Sequence, residues 1–151
     1  MSAMINKLTS EEWVLAILYA NDRKPVYGKL MLVKQVFLAA KEVEPDLDKA
    51  LGFFAYDLGP YSPSLAQLVD SLVEKRLVSA EGSGGDFVFS LTTDGRKAAE
   101  EAWNKLPEVT RELLARKRRA WDQLGYRGIV RLVYTKYPEY TGRSKIIELL
   151  E

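Results

Sequence analysis

The chain has 151 residues, of which 47% are hydrophobic and 28% charged, and its formal net charge is +1. This composition is typical of one compact globular domain, and no apolar run approaches the ~18 residues that a membrane span requires. The N-terminus has no pattern of a secretion signal, so we expect a cytoplasmic protein. The absence of Cys and His excludes disulfides, thiolate metal sites and a histidine base, and we expect no metal and no cofactor. The scarcity of Asn and Gln favours a heat-adapted source.

Two helices are predicted in the first third of the chain. Thr9-Ser10-Glu11-Glu12 matches a capping box and predicts a helix that ends at Asn21-Asp22. A second helix is predicted from about Gly28 to Val43, where Pro45 is expected to stop it. Phe53 to Tyr56 is compatible with a short strand or with a short helix, and the sequence leaves both open.

The helix predicted after Ser62 carries the clearest pattern. Ser62 is placed to cap this helix, and Pro63 takes the first helical position, where a missing N–H costs nothing. One buried stripe at helical spacing follows, formed by Leu65, Leu68, Val69 and Leu72. The stripe predicts that Leu68 and Leu72 are core residues. Gly59-Pro60-Tyr61 is interpreted as a rigid turn that orients this helix.

A strand, a glycine-rich turn and a second strand follow that helix. Leu77 and Val78 open the first strand, the residues from Gly82 to Gly85 permit a tight turn, and Phe87 to Leu91 alternates as the partner strand. Thr92 to Asp94 then offer oxygens that can cap the next helix. This order predicts a mainly α (α+β) fold, a winged helix-turn-helix in residues 1–105 with a small β-hairpin wing.

Residues 106–151 predict a C-terminal helical extension packed on the same domain. A helix is expected to end near Lys105, a longer one to run from Pro107 to Leu124, and a last one from about Arg127 to Tyr137, with Gly125 between them. The longer helix has more apolar surface than one small domain needs to bury, which favours a homodimer through paired C-terminal helices. The apolar residues concerned are Val109, Leu113, Trp121 and Leu124.

Positive charge is unevenly distributed along the chain. Residues 1–105 contain 12 Lys and Arg against 15 Asp and Glu, whereas residues 106–151 contain 10 against 6. Polar residues of the predicted recognition helix could read base edges, and basic residues could contact phosphates, although a solvated helix surface is an alternative for both. The candidate DNA-binding residues are Ser62, Ser64, Gln67, Ser71, Lys75, Arg76, Arg116, Lys117, Arg118 and Arg119.

Five segments together resemble a known family: Lys29 to Glu42, Phe53 to Leu65, Leu68 to Val78, Phe89 to Gly95 and Tyr134 to Ile146. They resemble the YwgA-type family of uncharacterised archaeal and bacterial proteins and, more distantly, the SocA-like or Panacea antitoxin domain. The resemblance implies a winged-helix fold with a regulatory or toxin-neutralising role and no established catalytic residues. Arg76 departs from the pattern, because such domains commonly have a Gly at this helix end.

Two functions are therefore considered. The first is a DNA-binding transcriptional regulator, without catalytic activity, that binds double-stranded DNA. The alternative is a protein-interaction module of antitoxin type, which binds a partner protein such as a toxin and has little or no contact with DNA. The acidic balance of residues 1–105 favours the alternative, and the basic C-terminal region favours the regulator. No constellation of side chains indicates catalysis, so we do not expect an enzyme.

Overall fold

The computed structural model describes residues 7–56, 59–82 and 87–141, and this part of the chain is mainly helical with a small antiparallel sheet. The described helices are α1 (Ser10–Tyr19), α2 (Lys29–Glu42), α3 (Pro45–Leu51), α4 (Pro63–Glu74), α5 (Thr93–Lys105), α6 (Glu108–Lys136) and a 3-10 helix (Pro138–Tyr140). The described strands are β1 (Val26–Tyr27), β2 (Phe54–Tyr56), β3 (Gly59–Tyr61), β4 (Val78–Glu81) and β5 (Val88–Leu91).

Side-chain caps begin three of these helices where the sequence predicts them. At α1 the capping box is complete, since the Thr9 N–H donates to Glu12 Oε1 at 2.9 Å and the Glu12 N–H donates to Thr9 Oγ1 at 3.1 Å. Ser62 accepts from the Leu65 N–H at the start of α4, and Thr92 accepts from the Gly95 N–H at the start of α5. The predicted starts of α1, α4 and α5 are confirmed.

The strands form two separate antiparallel units. One sheet has the order β1-β5-β4, in which Phe89 pairs with Val26 on one side and with Ala80 on the other. The other unit is the hairpin β2-β3, so the segment from Phe53 to Tyr56 contains a strand and the Gly59-Pro60-Tyr61 element is its partner rather than a turn. The predicted glycine-rich turn falls largely on residues 83–86, which lie outside the described residues.

Pro45 has a second role that the sequence reading missed. The second helix ends before Pro45 as predicted, but Pro45 also takes the first position of α3, where its missing N–H is tolerated. The Glu44 side chain accepts from the Asp46 N–H at 2.9 Å and caps this short helix. α3 then buries Leu47 and Leu51.

The core is centred on α2, whose residues Val36 to Ala40 are fully buried. Helices α3 and α6 pack on α2, while α5 packs on α1. Leu72 of α4 is fully buried and confirms its prediction, whereas Leu68 is only half-buried at the edge of the core. The Leu68 prediction was thus too strong, because Leu65 and Leu72 form the buried centre of the stripe, whereas Leu68 flanks it and is partly exposed.

Helix α6 is interrupted at Gly125, as its sequence predicts. Gly125 has φ 69° and ψ −177°, a conformation that a Cβ would strain. Ile129, Val130 and Val133 beyond the break are buried. Trp121 is buried by its own chain and so is not part of a dimer surface, whereas Val109 and Leu124 are exposed. The homodimer stays a prediction.

Candidate functional site

Hydrogen bonds of Ser62 fix the start of helix α4. One side of this helix faces solvent. The Ser62 hydroxyl donates to the Leu51 carbonyl at 2.6 Å while it accepts from the Leu65 N–H at 3.0 Å. Both bonds are internal, and Ser62 is only 1% exposed. Ser62 must therefore be removed from the predicted DNA contacts, because its hydroxyl is already used for capping and is closed to solvent.

The solvent-facing side of α4 is polar and acidic. Ser64 and Gln67 are exposed there as predicted, but Asp70 and Glu74 are exposed with them. No basic residue occurs between Pro63 and Glu74. Two carboxylates on this side repel the phosphates that a major-groove reader approaches.

At the C-terminal end of α4, Lys75 is already paired within the chain. Lys75 Nζ lies 2.9 and 3.0 Å from the two carboxylate oxygens of Glu11, and Ser71 donates to the same carboxylate at 3.3 Å. Arg76 is exposed and takes a left-handed φ of 62°. Among the candidates at this end, only Arg76 has no ion pair with a described residue.

Arg76 takes the place that glycine usually holds after a helix. The Leu77 N–H donates to the Leu72 carbonyl and the Arg76 N–H to the Val73 carbonyl, both at 3.0 Å, which is the pattern of a Schellman motif. Gly95 lies against this turn, since a Cβ there would come within 1.8 Å of the Leu77 carbonyl oxygen. The helix end thus requires a glycine at position 95 but tolerates Arg76 at a cost in backbone strain.

The four basic residues from Arg116 to Arg119 point in different directions around α6. Arg116 and Arg119 are exposed. Lys117 Nζ lies 2.8 Å from Glu42 Oε1, and Arg118 is 0% exposed. The predicted DNA contact at Arg118 is therefore wrong on grounds of burial, since its guanidinium cannot reach a phosphate without unfolding its surroundings.

Arg118 instead bonds to the carbonyl end of α1 and the loop after it. Its Nη1 donates to the carbonyls of Ile17 and Leu18 at 2.8 and 3.2 Å, and its Nη2 donates to those of Lys24 and Pro25 at 2.6 and 3.3 Å. Ile17 and Leu18 lie in the last turn of α1, whose carbonyls lack intrahelical donors, and the Ile17 carbonyl also accepts from the Ala20 N–H at 3.3 Å. Burial lowers the pKa of the guanidinium, and its ion pair with Asp122 opposes that effect.

The Asp122 carboxylate holds the Arg118 guanidinium in its position. Its carboxylate accepts from Arg118 Nε at 3.2 Å and 3.0 Å, from Asn21 Nδ2 at 2.8 Å and from Gln35 Nε2 at 2.8 Å. The donors come from α6, from the end of α1 and from α2. This network joins three helices and makes Arg118 a structural residue.

Glu42 holds a second set of cations from α6. Lys136 Nζ and the Tyr137 hydroxyl lie 2.7 and 3.0 Å from Glu42 Oε2, and Lys117 binds the other oxygen. Burial alone would raise the pKa of Glu42, but the hydrogen bonds from Lys117, Lys136 and Tyr137 hold that pKa below its ordinary value. Lys117 and Lys136, two further cations of the basic region, are therefore both paired with Glu42.

Three segments that carry the family resemblance meet around the buried Lys34, which the sequence analysis did not single out. A Cβ on Gly59 would lie 3.2 Å from the Tyr134 ring and 3.5 Å from Lys34 Nζ, and Gly59 has φ +107°. Lys34 is fully buried, and burial lowers its pKa to about 8. Glycine at position 59 is thus required by close approach as well as by backbone conformation.

Exposed aromatic side chains mark two further surfaces. On the β2-β3 hairpin, Tyr56 and Tyr61 have ring centroids 5.7 Å apart, and Phe54 lies 6.2 and 6.0 Å from them. Tyr27 and Tyr126 share the wall of a cleft of about 690 Å³ next to the break in α6. The sequence gives no periodic signal for either surface, because each combines residues from separate elements.

An apolar groove of about 220 Å³ opens beside α4. Its walls are the N-terminal end of α2, one side of α4 and the sheet β4-β5, and the side chains facing it include Val33, Val69, Val73 and Phe87. Lys29 and Asp70 are its charged lining residues. The groove lies next to the polar side of α4 that carries Gln67.

The chain matches no protein-family model and has no similar sequence among curated proteins. Within the described residues, no helix is long and apolar enough to cross a membrane. The same residues contain no group of three or more acidic side chains close enough to hold a metal ion.

Proposed function

We propose that this chain is a winged-helix module that binds a partner protein through the α4 side of the domain. Supporting the winged-helix assignment, α1, β1, α2 and α4 precede the β4-β5 hairpin, and β1 pairs with β5 in the order β1-β5-β4. α4 then corresponds to the recognition helix and β4-β5 to the wing. The short helix α3 and the β2-β3 hairpin are insertions before the recognition helix.

The observation that carries the proposal is the charge on the α4 surface. A duplex-binding module needs free cations, since phosphate neutralisation supplies most of its non-specific affinity. Here Lys75 is paired with Glu11, Lys117 with Glu42, and Arg118 is buried. Asp70 and Glu74 remain at the surface with an apolar groove beside them, and such a surface suits a protein partner better than a phosphate backbone.

The resemblance to the SocA-like antitoxin domain suggests the kind of partner. A toxin-neutralising role requires binding of the toxin, for which a surface with apolar contacts and some charge is suited and no catalytic group is needed. The α4 side, with its groove, has these properties. On this proposal the partner is a protein such as a toxin, and DNA contact is secondary or absent.

A DNA-binding regulator is the second candidate, because two of its predicted base-reading residues are accessible. Ser64 and Gln67 are exposed on α4, and Arg116 and Arg119 are exposed on α6. In this candidate Ser64, Gln67 and Ser71 read bases, while Arg76, Arg116 and Arg119 contact phosphates. Ser62 and Arg118 have no part in it.

The two functions are separated by a charge-reversal variant, Asp70→Lys with Glu74→Lys. Both positions are exposed, so the fold is expected to survive. For a protein-binding module, the variant should lose the partners that the wild type captures from a lysate of the source organism, and should gain salt-dependent affinity for a labelled random duplex. The control variant Lys97→Glu with Glu101→Lys, on α5, should change neither.

The regulator would be supported by the opposite pattern. If the wild-type protein binds duplex DNA at low salt and Arg116→Ala with Arg119→Ala flattens the salt slope by about one unit per lost phosphate contact, the protein-binding proposal is overturned. Loss of sequence discrimination in Ser64→Ala with Gln67→Ala would then identify the base-reading residues.

A further inference from the structure

The groove beside α4 has the size of a site for one side chain. Its volume is about 220 Å³, whereas pockets for drug-sized ligands span roughly 300–1,000 Å³. Protein interfaces commonly place one large aromatic or aliphatic residue of a partner in a pocket of this kind. The volume therefore favours a single inserted side chain over a cofactor or a small-molecule effector.

The apolar wall contributed by α4 follows one line along the helix. Ala66, Val69 and Val73 are spaced at i, i+3 and i+7, and all three are half-buried, in contrast to the fully buried Leu65 and Leu72 of the same helix. This line lies at the edge of the core and is left partly open to solvent. A partner side chain in the groove would complete its burial, with a gain of roughly 25 cal/mol for each Å² of apolar surface covered.

Charges of opposite sign line the groove on different elements. Lys29 comes from the first turn of α2 and Asp70 from α4, and both are exposed. Within the described part of the chain, neither forms an ion pair with another residue. Among the described residues, the groove thus offers one cation and one carboxylate without an ion pair, and most of its other lining residues are apolar.

We infer that the groove receives a segment of a partner protein in which one large apolar residue is flanked by an acidic residue and a basic residue. The apolar side chain fills the groove, the acidic residue pairs with Lys29 and the basic residue with Asp70. The inference rests on the proposed protein-binding function and adds to it the chemistry that the partner must present. Because the two charges lie on different walls, they also fix the direction of the bound segment.

The test uses three short peptides as probes: acetyl-Glu-Trp-Lys-amide, acetyl-Lys-Trp-Glu-amide and the neutral acetyl-Gln-Trp-Gln-amide. Each is titrated into isotope-labelled protein, and the backbone amide resonances are followed by NMR. We expect all three to shift the resonances of Ala66, Val69 and Val73. One charged peptide should bind about three- to tenfold more tightly than the neutral peptide, since two exposed ion pairs contribute modestly.

A charge swap in the protein makes the test specific. Lys29→Asp with Asp70→Lys should exchange the preference between the two charged peptides, so that the ratio of their affinities is inverted. The matched control, Lys97→Glu with Glu101→Lys, exchanges two exposed charges on α5 and should leave the order of affinities as in the wild type. Unchanged thermal melting confirms that each variant is folded.

The inference fails if the resonances of the groove do not shift, if the three peptides bind equally, or if the charge swap leaves the preference unaltered. These outcomes leave the proposed function standing, because the partner captured from the lysate could then contact the exposed side of α4 alone. Salt-dependent duplex binding through Arg116 and Arg119 would instead overturn the proposed function, whatever the peptides do.

Discussion

The basic run of α6, Arg116 to Arg119, and the polar side of α4 have the same predicted role in the sequence but differ in their exposure in the fold. Both were predicted to contact DNA. In α6, Arg118 is buried on backbone carbonyls and Lys117 is bound to Glu42. In α4, Ser64 and Gln67 are exposed as predicted. A basic residue in the sequence therefore indicates a basic surface only after its contacts inside the protein are known.

The difference has a physical cause in how each helix meets its neighbours. α4 packs through one stripe, so its opposite side must face solvent. α6 packs on α2, and Arg118 of α6 meets the end of α1, where the last carbonyls of the helix attract a guanidinium. A run of four successive cations spans more than one full turn, so at least one of them has to point inward.

The largest expected effect is the loss of the buried guanidinium. Arg118→Ala should reduce the free energy of unfolding by about 3–5 kcal/mol, because the Asp122 carboxylate loses its cation and the carbonyls at the end of α1 lose the guanidinium donor. The control Arg119→Ala, on the next residue and exposed, should change it by less than about 0.5 kcal/mol. Urea unfolding of both variants measures the two values. Equal losses would contradict the structural role of Arg118.

A second expected effect separates the buried and half-buried parts of the α4 stripe. Leu72→Ala should cost about 3 kcal/mol through lost burial and a residual cavity, since Leu72 is fully buried. Leu68→Ala should cost about half as much, because Leu68 lies at the edge of the core. Thermal and urea unfolding provide the comparison. A larger loss at Leu68 would show that the sides of α4 are assigned incorrectly.

The sequence was sufficient to predict those structural features that a few neighbouring residues determine. The caps at Thr9, Ser62 and Thr92 and the break at Gly125 each depend on a few neighbouring residues, and all four were predicted. Asp122 is only four residues from Arg118, but the backbone carbonyls that bind Arg118 and the carboxylate that binds Lys117 lie about 75 to 100 positions away in the chain. No local pattern encodes such contacts. The groove was equally unpredictable, because its walls come from α2, α4 and the sheet.

The pH dependence of stability tests the contribution of the ion pairs that Glu42 forms with Lys117 and Lys136 of α6. The Glu42 pKa is lowered in the folded protein, so its contribution is present above the unfolded-state pKa of about 4.3 and is lost as the pH falls through the folded-state value. Glu42→Gln should therefore cost about 1 kcal/mol near neutral pH, discounted for the half-exposed Lys136. Unfolding of wild type and variant from neutral to acidic pH should show this difference shrink below about pH 4.

A difference that stays constant down to the lowest pH would mean that Glu42 contributes by packing rather than by charge. The control is Glu139→Gln, a change at an exposed carboxylate of the 3-10 helix. Because Glu139 has no ion pair with a described residue, its substitution should leave the pH profile unchanged.

The smallest expected effect is a gain of stability at the end of α4. Arg76 has φ 62° at the position where a Schellman motif favours glycine, and a left-handed conformation costs a non-glycine residue about 1–2 kcal/mol. Arg76→Gly relieves that strain but gives the unfolded chain more freedom, so a net gain of about 0.5–1 kcal/mol is expected in urea unfolding.

The matched control Lys75→Gly places glycine one residue earlier, where the backbone is right-handed (φ −73°) and the lysine binds Glu11. This change should destabilise the protein, because no strain is relieved, the ion pair is lost and the unfolded chain gains freedom. A loss of stability in Arg76→Gly as well would show that the Arg76 side chain contributes more than its backbone conformation costs. Arg76 would then belong with Arg118 among the cations that the fold uses, and α4 would offer even less positive charge to DNA.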